Sequence, residues 1–396
     1  MAGALHGVKV VDLSQVIAGP LCTLLLGDFG ADVIKIEPPD GDSSRQLGST
    51  RLGGESDYYL AANRNKRSVV LDLKTPRGLA MVKALIRGAD VVVENFRPGV
   101  MERLGLSYET LLADNPGLIY CSINGFGHDG PHRDKPALDP VVQAMSGVMQ
   151  LTGTPDSGPL KTGILLSDFV TPLFGTMGVL AALYARNASG KGQRIDVSML
   201  DATIFAMLPR DGHFFATGET PARMANAHYA IVPYNTFRTS DDRHIMVIAH
   251  DDKFWRALTK GLGLDALVDD ARFRGGPERA ANRRALEALM TDAFVGATLD
   301  HWEGRLTASG ALFAPVRDFE QVFGDPGVKA GMVATVAHPT AGEVRLLKSP
   351  VRFSVTPADI RRAPPLLGEH TDAVVAALDG AAAGARTGAS SPWTDR

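Results

Sequence analysis

Cysteine is scarce in this chain, with Cys22 and Cys121 the only two among 396 residues. Two thiols cannot build a disulfide framework or a cysteine metal cluster, so we predict no metal site and expect a reducing, cytoplasmic compartment. An excess of one charge is also lacking, because 41 basic and 44 acidic residues leave a formal net charge of -3. A nucleic-acid-binding domain usually carries a basic face, and we therefore expect no nucleic-acid partner.

Three familiar signals are missing as well. The first residues lack the basic segment and apolar run of a signal peptide. The charge-free residues 169–185 contain Pro172 and two glycines and fall short of a membrane span, so they predict a buried core helix. No glycine-rich phosphate loop follows the first predicted strand, and the nearest match, at residues 261–266, follows a helix instead. We therefore expect neither a membrane partner nor a dinucleotide cofactor.

The first half of the chain contains a regular alternation of short β-branched runs with helical segments. Strands are predicted at residues 8–13, 32–37, 68–73, 90–96 and 118–123. A helix is predicted from Pro76 with Thr75 as its N-cap, because Thr accepts backbone hydrogen bonds there and Pro suits the first turn. A regular alternation of strands and helices along the chain predicts an α/β fold with a parallel sheet.

The length of the chain predicts two domains, because 396 residues exceed the size at which one hydrophobic core stops growing. Residues 1–205 and 330–380 form the predicted large α/β domain. Residues 225–325, with a strand at 244–249 and amphipathic helices at 253–261, 282–297 and 300–308, form a smaller α+β domain. Residues 206–224 and 326–329 are the predicted linkers. The Ala- and Gly-rich residues 381–396 are expected to form a disordered tail.

A set of short blocks along the chain carries a family resemblance. The blocks span residues 12–20, 26–37, 63–68, 93–99, 123–127, 130–131, 190–196 and 365–372, and they include the strings DLSQVIAGP, LGDFGADVIKIE, NRNKRS and PLLGEHTD. In order and spacing they resemble the class III CoA-transferases, of the formyl-CoA and carnitine CoA-transferase type, over about residues 5–378.

This resemblance implies a fold and a set of partners. The fold is a large Rossmann-like domain built from both chain ends, with a small domain from the middle of the chain. Two subunits are expected to interlock as a homodimer. Coenzyme A, acyl-CoA and an organic acid are the implied substrates, with no permanently bound cofactor.

Asp168 follows the mostly apolar residues 163–167 and opens a predicted long helix. Taken alone, an Asp at this point is most often an N-cap that accepts backbone N–H groups. The resemblance implies instead that Asp168 is the catalytic nucleophile, whose carboxylate attacks a thioester carbonyl and forms a covalent intermediate. It also implies that Asp139 lies close to this nucleophile.

The resemblance carries over a set of contacts to CoA. Four lie in the loop after the first predicted strand and the others near later blocks: Gln15, Val16, Ile17, Ala18, Leu71, Lys74, Asn95, Phe96, Arg97 and Arg103. One departure concerns the adenine end of CoA, since formyl-CoA transferase has an arginine where this chain has Pro38. Arg45 or Lys135 is expected to replace that cation, because Arg and Lys both bind phosphates.

Two other functions remain open. Related α-methylacyl-CoA racemases use an Asp at the position of Asp168, together with a nearby His, for proton transfer at the α-carbon. The matching residues 137–139 contain no His, whereas His128 and His132 come earlier in a Gly- and Pro-rich loop. A catalytically inactive CoA-binding protein is the second alternative.

Two features bear on the substrate. The glycine-rich loop that covers the site of formyl-CoA transferase has no counterpart in residues 240–270, which argues against a formate or oxalate enzyme. Residues 226–234 resemble members that take succinyl-CoA as donor and a dicarboxylate or related acid as acceptor. Arg210, Arg223 and His228 are candidates for binding a second carboxylate.

Overall fold

The fold is that of a computed structural model, which describes residues 2–382 and 391–393. These residues divide into two compact units. The first comprises the chain up to Met149, Lys161–Glu219 and the chain from Lys329 onward. The second comprises Gln150–Leu160 and Thr220–Val328.

Two boundaries differ from the sequence prediction. Residues 150–160, predicted in the large domain, belong to the second unit. The reason is hydrogen bonding: the Ala225 N–H donates to Gly153 O at 2.9 Å, and the Arg223 guanidinium donates to Gln150 Oε1 at 2.9 Å. Residues 206–219, predicted as part of a linker, belong to the first unit and contain a helix.

Parallel strands form the centre of the first unit. The strands up to residue 198 are β1 (Lys9–Asp12), β2 (Asp32–Glu37), β3 (Arg51–Leu52), β4 (Glu55–Ser56), β5 (Lys66–Val70), β6 (Val91–Glu94), β7 (Ile119–Asn124) and β8 (Arg194–Ser198). Six of them form a sheet in the order β5-β2-β1-β6-β7-β8, with every neighbouring pair parallel, while β3 and β4 pair with each other. The predicted α/β fold with a parallel sheet is confirmed, although β5 begins two residues before its predicted start.

The order of the strands reverses between β1 and β6. The chain moves outward from β1 through β2 to β5, and then returns to β6 and moves outward to β8. At such a point an open parallel sheet leaves a crevice between two loops at the carboxyl ends of its strands, and ligands bind there. The loops that follow β1 and β6 therefore mark the position where a site is expected.

Helices cover this sheet. In chain order they are α1 (Ala18–Asp28), α2 (Asp57–Ala62), α3 (Pro76–Arg87), α4 (Val100–Arg103), α5 (Tyr108–Asp114), α6 (Asp139–Ser146), α7 (Val148–Leu151), α8 (Leu166–Ser189), α9 (Met199–Phe205) and α10 (Asp211–Thr217), with a 3-10 turn at Ser43–Arg45. Thr75 caps α3 as predicted, because its hydroxyl accepts the Gly78 N–H at 3.0 Å.

The longest of these helices, α8, packs against α1, β7 and β8. It is the one described helix with the length and hydropathy of a membrane span, and its contacts with the sheet are those of a core helix. Gly175 permits the close approach: a Cβ atom there would lie 3.1 Å from Ile123 Cδ1, 3.4 Å from Cys22 Sγ and 3.7 Å from Cys121 Sγ.

A network of buried charges lies beneath the loops that follow β1 and β2. Lys66 Nζ binds Asp12 Oδ2 at 3.0 Å and Lys35 Nζ binds Asp42 Oδ2 at 2.7 Å, with none of the four side chains exposed. Burial opposes the ionisation of Asp12 and would raise its pKa. The positive charges of Lys66 and Lys35 outweigh this effect and hold the pKa of Asp12 below its usual value. Burial lowers the pKa of Lys66 to about 8, against the attraction of Asp12. Because removing one partner of a buried ion pair leaves an uncompensated charge, the network fixes the ends of these strands.

The second unit is a small α+β arrangement. Its strands β9 (Tyr234–Arg238), β10 (His244–Ile248) and β11 (Leu312–Pro315) form an antiparallel sheet in the order β11-β10-β9. The helices are α11 (Asp252–Leu262), α12 (Gly276–Ala281), α13 (Arg283–Phe294), α14 (Leu299–Ser309) and α15 (Phe319–Gly324), with a 3-10 turn at Asp265–Val268. A further helix, α16 (Pro326–Met332), begins in this unit and ends in residues of the first unit, so residues 326–329 are helical and the prediction of a linker there is wrong. Its core is formed by Trp255, Leu258, Phe273, Phe294 and Trp302. The predicted strand and the three predicted helices of this region are confirmed with small shifts at their ends.

The C-terminal part of the chain completes the first unit. Strands β12 (Val333–His338) and β13 (Gly342–Leu347) form a hairpin, and α17 (Thr371–Ala382) packs against α3 and β5. The Val70 N–H donates to Thr371 Oγ1 at 2.9 Å. Of the predicted disordered tail, residues 383–390 and 394–396 lie outside the described residues. The prediction is wrong for Trp393, which is buried in the core of this unit.

Candidate active site

A cavity of about 470 Å³ opens at the point where the strand order reverses. The loops after β1, β6 and β7, the segment before α6 and the starts of α8 and α9 line it, with Gln15, Val16, Ile17, Ala18, Asn95, Phe96, Arg97, Pro98, Ile123, Asn124, Gly125, Arg133, Lys135, Ala137, Leu138, Asp168 and Met199. Among these described residues Asp168 is the acidic group, and Arg97, Arg133 and Lys135 are the cations. A carboxylate that shares a cavity with three cations suits an anionic ligand that reacts with that carboxylate.

Buried groups hold the loop after β1 in one conformation. Lys35 Nζ donates to the carbonyl oxygen that precedes Gln15 at 2.8 Å, and Asp42 Oδ1 accepts the Val16 N–H at 3.0 Å. Between them, the Asn95 amide binds both the N–H and the carbonyl oxygen of Gln15 at 2.8 Å. Val16 has a φ of 69°, which is unfavourable for a β-branched residue and persists because these hydrogen bonds determine it. The loop is thus preorganised where it lines the cavity.

Asp168 lies in the first turn of α8 but does not cap the helix. The helix begins at Leu166, and its N-cap residue is Leu165, whose side chain makes no capping hydrogen bond. The interpretation of Asp168 as an N-cap is therefore wrong. The N–H groups of a first turn have no carbonyl partner within the helix, and no described residue accepts the N–H of Asp168. Asp168 therefore lines the cavity and has a backbone N–H without a hydrogen-bond acceptor among the described residues.

Asp139 caps α8 from another helix. It is buried at the start of α6, and its Oδ1 accepts both the N–H and the hydroxyl of Ser167 at 2.8 Å. Its Oδ2 accepts Nε2 of Gln143 at 2.7 Å. The negative charge also interacts favourably with the positive end of the helix dipole. Asp139, rather than Asp168, is therefore the residue whose side chain caps the first turn of α8.

The ionisation of Asp168 is shifted by its surroundings. Burial, and after it the negative charge of Asp139, raise the pKa of Asp168 to about 6. Both effects disfavour the charged form of a carboxyl group. Such a group is still ionised at neutral pH, but it is more basic than an ordinary Asp, and nucleophilic reactivity increases with basicity.

The structure brings most of the predicted contact residues together. Gln15, Val16, Ile17, Ala18, Asn95, Phe96, Arg97 and Lys135 line the cavity with Asp168. Leu71 instead lines a second cavity of about 220 Å³, together with Thr75 and Arg77. Lys74 and Arg103 are exposed and line neither of these cavities.

Arg45 is committed to a structural role. Its guanidinium donates to both carboxylate oxygens of Glu37, at 2.7 and 2.8 Å, and its central carbon lies 3.6 Å from the centre of the Tyr59 ring. The hydrogen bonds and charge of Arg45, with a contribution from Lys35, overcome the effect of burial and lower the pKa of Glu37 to about 2. Arg45 is not among the residues that line the cavity, whereas Lys135 is, and the replacement of the cation missing at Pro38 by either residue stays a prediction.

The candidates for a second carboxylate site are dispersed. Arg210 is not among the residues that line the cavity of the first unit. Arg223 and His228 belong to the second unit, where the Arg223 guanidinium binds Gln150 and His228 Nδ1 accepts the N–H groups of Ala230 and Ile231. The role predicted for these three residues stays a prediction.

Sequence reasoning missed Arg133, Asn124 and Met199. For Asn124 the available signal was its place at the end of a predicted strand, since such ends meet at a common crevice. Asn124 Oδ1 accepts the Gly127 N–H at 2.5 Å, while its buried Nδ2 has no hydrogen-bond partner among the described residues. A buried donor without a partner carries a free-energy penalty, so this amide is a candidate to donate to a ligand.

Comparisons with known proteins point to one family. The model of CoA-transferase family III matches residues 5–371. The chain is 38% identical over 388 residues to a succinate–glutarate CoA-transferase of Agrobacterium fabrum, which covers 95% of this chain and 96% of that protein. It is 39% identical over 354 residues to an acetyl-CoA:oxalate CoA-transferase of Acetobacter aceti, which covers 89% of this chain and 90% of that protein. A crystal structure of a CAIB/BAIF family protein from Brucella suis matches with a TM-score of 0.87 and 38% identity, over 96% of this chain and 100% of that one.

The raised pKa of Asp168 predicts that Asp168→Asn stabilises the protein at high pH. A carboxyl group whose pKa is higher in the folded protein than in the unfolded chain destabilises the fold when it ionises. This penalty is absent below about pH 4 and complete above about pH 6. The free energy of unfolding of the variant should exceed that of the wild type by about 1–3 kcal/mol at pH 8, and by much less near pH 4. Denaturant unfolding at the two pH values measures the difference.

Asp372→Asn is the matched control, because Asp372 is an exposed carboxylate in the first turn of α17. It should not stabilise the protein at pH 8. A gain for Asp168→Asn that is the same at both pH values would contradict the assigned ionisation.

Proposed function

The chain belongs to CoA-transferase family III and is a CoA-transferase, and we propose that it uses succinyl-CoA as donor and forms a covalent intermediate on Asp168. One observation carries the proposal: Asp168 is a partly buried carboxylate of raised basicity that lines a cavity with three cations. This combination provides a nucleophile and a binding site for anionic substrates in the same place.

The proposed reaction begins when an Asp168 oxygen attacks the thioester carbonyl carbon of the donor. The C–S bond breaks and CoA leaves as a thiolate, which leaves the donor acyl group and Asp168 joined as a mixed anhydride. The thiolate then attacks the aspartyl carbonyl carbon, which releases the donor acid and leaves an aspartyl–CoA thioester. The acceptor carboxylate attacks the aspartyl carbonyl carbon of this thioester and displaces the CoA thiolate, which gives a second mixed anhydride. The thiolate then attacks the acceptor acyl carbon, which forms the new acyl-CoA and releases the Asp168 carboxylate. Asp168 ends as a free carboxylate, with no net uptake of water or protons.

The groups around Asp168 suit these steps. Arg97, Arg133 and Lys135 bind the phosphates of CoA or the carboxylate of an acid through charge-assisted hydrogen bonds. The free N–H of Asp168, at the positive end of α8, stabilises the oxyanion that develops on the attacked carbonyl. Asp139 keeps the nucleophile basic without competing for its position.

The racemase alternative needs a second proton-transfer group beside Asp168. His128 Nε2 lies 2.8 Å from Ser122 Oγ and 3.1 Å from Asp196 Oδ1. Neither His128 nor His132 is among the described residues that line the cavity. This distribution disfavours a racemase, and the basic carboxylate in the cavity disfavours an inactive CoA-binding protein.

Trapping with hydroxylamine tests the nucleophile. When the wild type is incubated with succinyl-CoA and hydroxylamine, a hydroxamate should form on Asp168, because hydroxylamine attacks an activated aspartyl carbonyl. Mass spectrometry of the peptides locates the adduct. Asp168→Asn should lose CoA transfer by several orders of magnitude while it still binds acyl-CoA, since an amide cannot form the anhydride.

The matched control is Asp201→Asn, an exposed first-turn carboxylate of α9. It should retain transfer and acyl-CoA binding. Turnover by the wild type without an adduct on Asp168 would exclude the covalent mechanism. Exchange of an α-proton with deuterium oxide, without acyl transfer, would indicate a racemase.

We also propose a dicarboxylate as the acceptor. The Agrobacterium relative is named for succinate and glutarate, and the Acetobacter relative for oxalate. The cavity of this chain offers several cations, so a second carboxylate on the acceptor finds a charged partner there. This proposal keeps oxalate within the range of acids to be tested.

A matched pair of acids tests this preference. Glutarate and pentanoate have the same chain length and differ by one carboxylate. One charge-assisted hydrogen bond is worth about 1.5–3 kcal/mol, so kcat/KM for glutarate should exceed that for pentanoate by about 10- to 100-fold. Equal rates for the two acids would remove the basis for a dicarboxylate acceptor, and a higher rate for oxalate would point to a shorter substrate.

We further propose that two copies of the chain form a homodimer. Along one face of α8, the apolar side chains of Phe169, Leu173, Met177 and Tyr184 are exposed, with Tyr184 82% exposed. Contiguous apolar surface of this kind marks an interface with another protein. A second copy of the chain is the partner that the family resemblance implies.

Tyr184→Asp should weaken the dimer, because it places a charge within this apolar face. Analytical ultracentrifugation at micromolar concentration should give a dimer for the wild type and a larger monomer fraction for the variant. Ala80→Asp, on an exposed position of α3, is the control and should leave the mass unchanged. A monomeric wild type would refute the proposal.

A further inference from the structure

Gln143 is a fully buried polar side chain on α6, one turn after Asp139. Its Nε2 donates to Asp139 Oδ2 at 2.7 Å, and its Oε1 accepts the Thr162 N–H at 2.9 Å. The Thr162 hydroxyl lies 3.1 Å from the same Oε1 and 2.8 Å from Ile164 O. Gln143 therefore joins Asp139 to the segment that leads into α8.

The partners of Gln143 fix the orientation of its amide. A backbone N–H can only donate and a carboxylate can only accept, so Oε1 and Nε2 cannot exchange places. Methionine is of similar size but offers no strong donor or acceptor. An ionised glutamate accepts on both sides and would face the carboxylate of Asp139. An amide, or a protonated carboxyl group, satisfies both neighbours at once.

Asp139 and Gln143 hold the first turn of α8 and the segment before it by hydrogen bonds. Asp139 holds Ser167, the residue directly before Asp168, by two hydrogen bonds. Gln143 holds Thr162 and, through a longer contact of 3.4 Å, the carbonyl oxygen of Ile164. The nucleophile thus lies next to a turn that is held both at its own backbone and at the segment that precedes it.

We propose that Gln143 is a positioning residue for the nucleophile: by holding the Asp139 carboxylate and residues 162–164 in one arrangement, it sets the direction of the Asp168 carboxylate. The inference rests on the proposed function and deepens it. Gln143 is not among the residues that line the cavity, so it acts through its neighbours. Asp139 on α6 is the charged group that shifts the pKa of Asp168, and the cations Arg97, Arg133 and Lys135 line the same cavity.

Gln143→Met is the first test, since it removes both hydrogen-bonding functions without changing a charge. A displacement of about 1 Å at a reacting group lowers the rate about 100-fold, so kcat should fall by about 10- to 100-fold. KM for succinyl-CoA should stay within about twofold, because the cavity lining is unchanged. The yield of hydroxamate on Asp168 should fall in parallel with kcat.

Gln143→Glu is the second test, and its readout is the dependence on pH. At pH 8 the new carboxyl group is ionised and repels Asp139, whereas at pH 5.5 its protonated form donates to Asp139 as the amide does. The ratio of variant to wild-type kcat should therefore rise about tenfold as the pH is lowered from 8 to 5.5. A purely structural role predicts a ratio that does not depend on pH. Circular dichroism and thermal melting show whether Gln143→Met folds. If it does not, the pH dependence of Gln143→Glu remains as the test.

Gln193→Met is the matched control, because Gln193 is exposed on the same unit. It should keep wild-type kcat at both pH values. Wild-type kcat in Gln143→Met, or a constant ratio for Gln143→Glu, would overturn this inference even if the wild type forms the adduct on Asp168. A wild type that transfers CoA without that adduct would instead overturn the proposed function, and this inference with it.

Discussion

Two buried ion pairs, Lys66 with Asp12 and Lys35 with Asp42, support both the fold and the site. Removing these charges from water is unfavourable, and the loss of one partner from such a pair destabilises a protein by about 3–5 kcal/mol. The pairs connect β1, β2 and β5, and Lys35 and Asp42 continue into the loop around Gln15 by direct hydrogen bonds. A change in this network therefore alters the stability of the sheet and the shape of the cavity together.

Two different carboxylates cap the helix and line the cavity at this site. Asp139 caps α8, while Asp168 in the same first turn faces the cavity without a capping bond. Because the two carboxylates lie close together, the charge of the first makes the second more basic. Gln143 donates to the other carboxylate oxygen of Asp139, so Gln143, Asp139 and the first turn of α8 form one hydrogen-bonded arrangement.

Features determined by nearby residues were predicted well. The bounds of β2, the cap of α3 by Thr75 and the parallel sheet follow from short patterns of residues. The family resemblance supplied seven of the contact residues that line the cavity, and Lys135 was predicted from a departure from the family pattern. The role of Arg45 could not be predicted, because its partners Glu37 and Tyr59 meet it only in the folded chain. The capping of α8 by Asp139 was missed for the same reason, since 28 residues separate Asp139 from Ser167.

Two buried cysteines beside α8 can serve as native probes of the motion of this helix. Cys22 and Cys121 are both buried and free, and Gly175 of α8 lies directly over them. A thiol reagent reaches them when the packing of α1 and α8 on the sheet opens, so the labelling rate of the native enzyme measures how often such an opening occurs. Asp168 stands at the start of the same helix. Slower labelling in the presence of an acyl-CoA would show that the bound acyl-CoA restrains this helix.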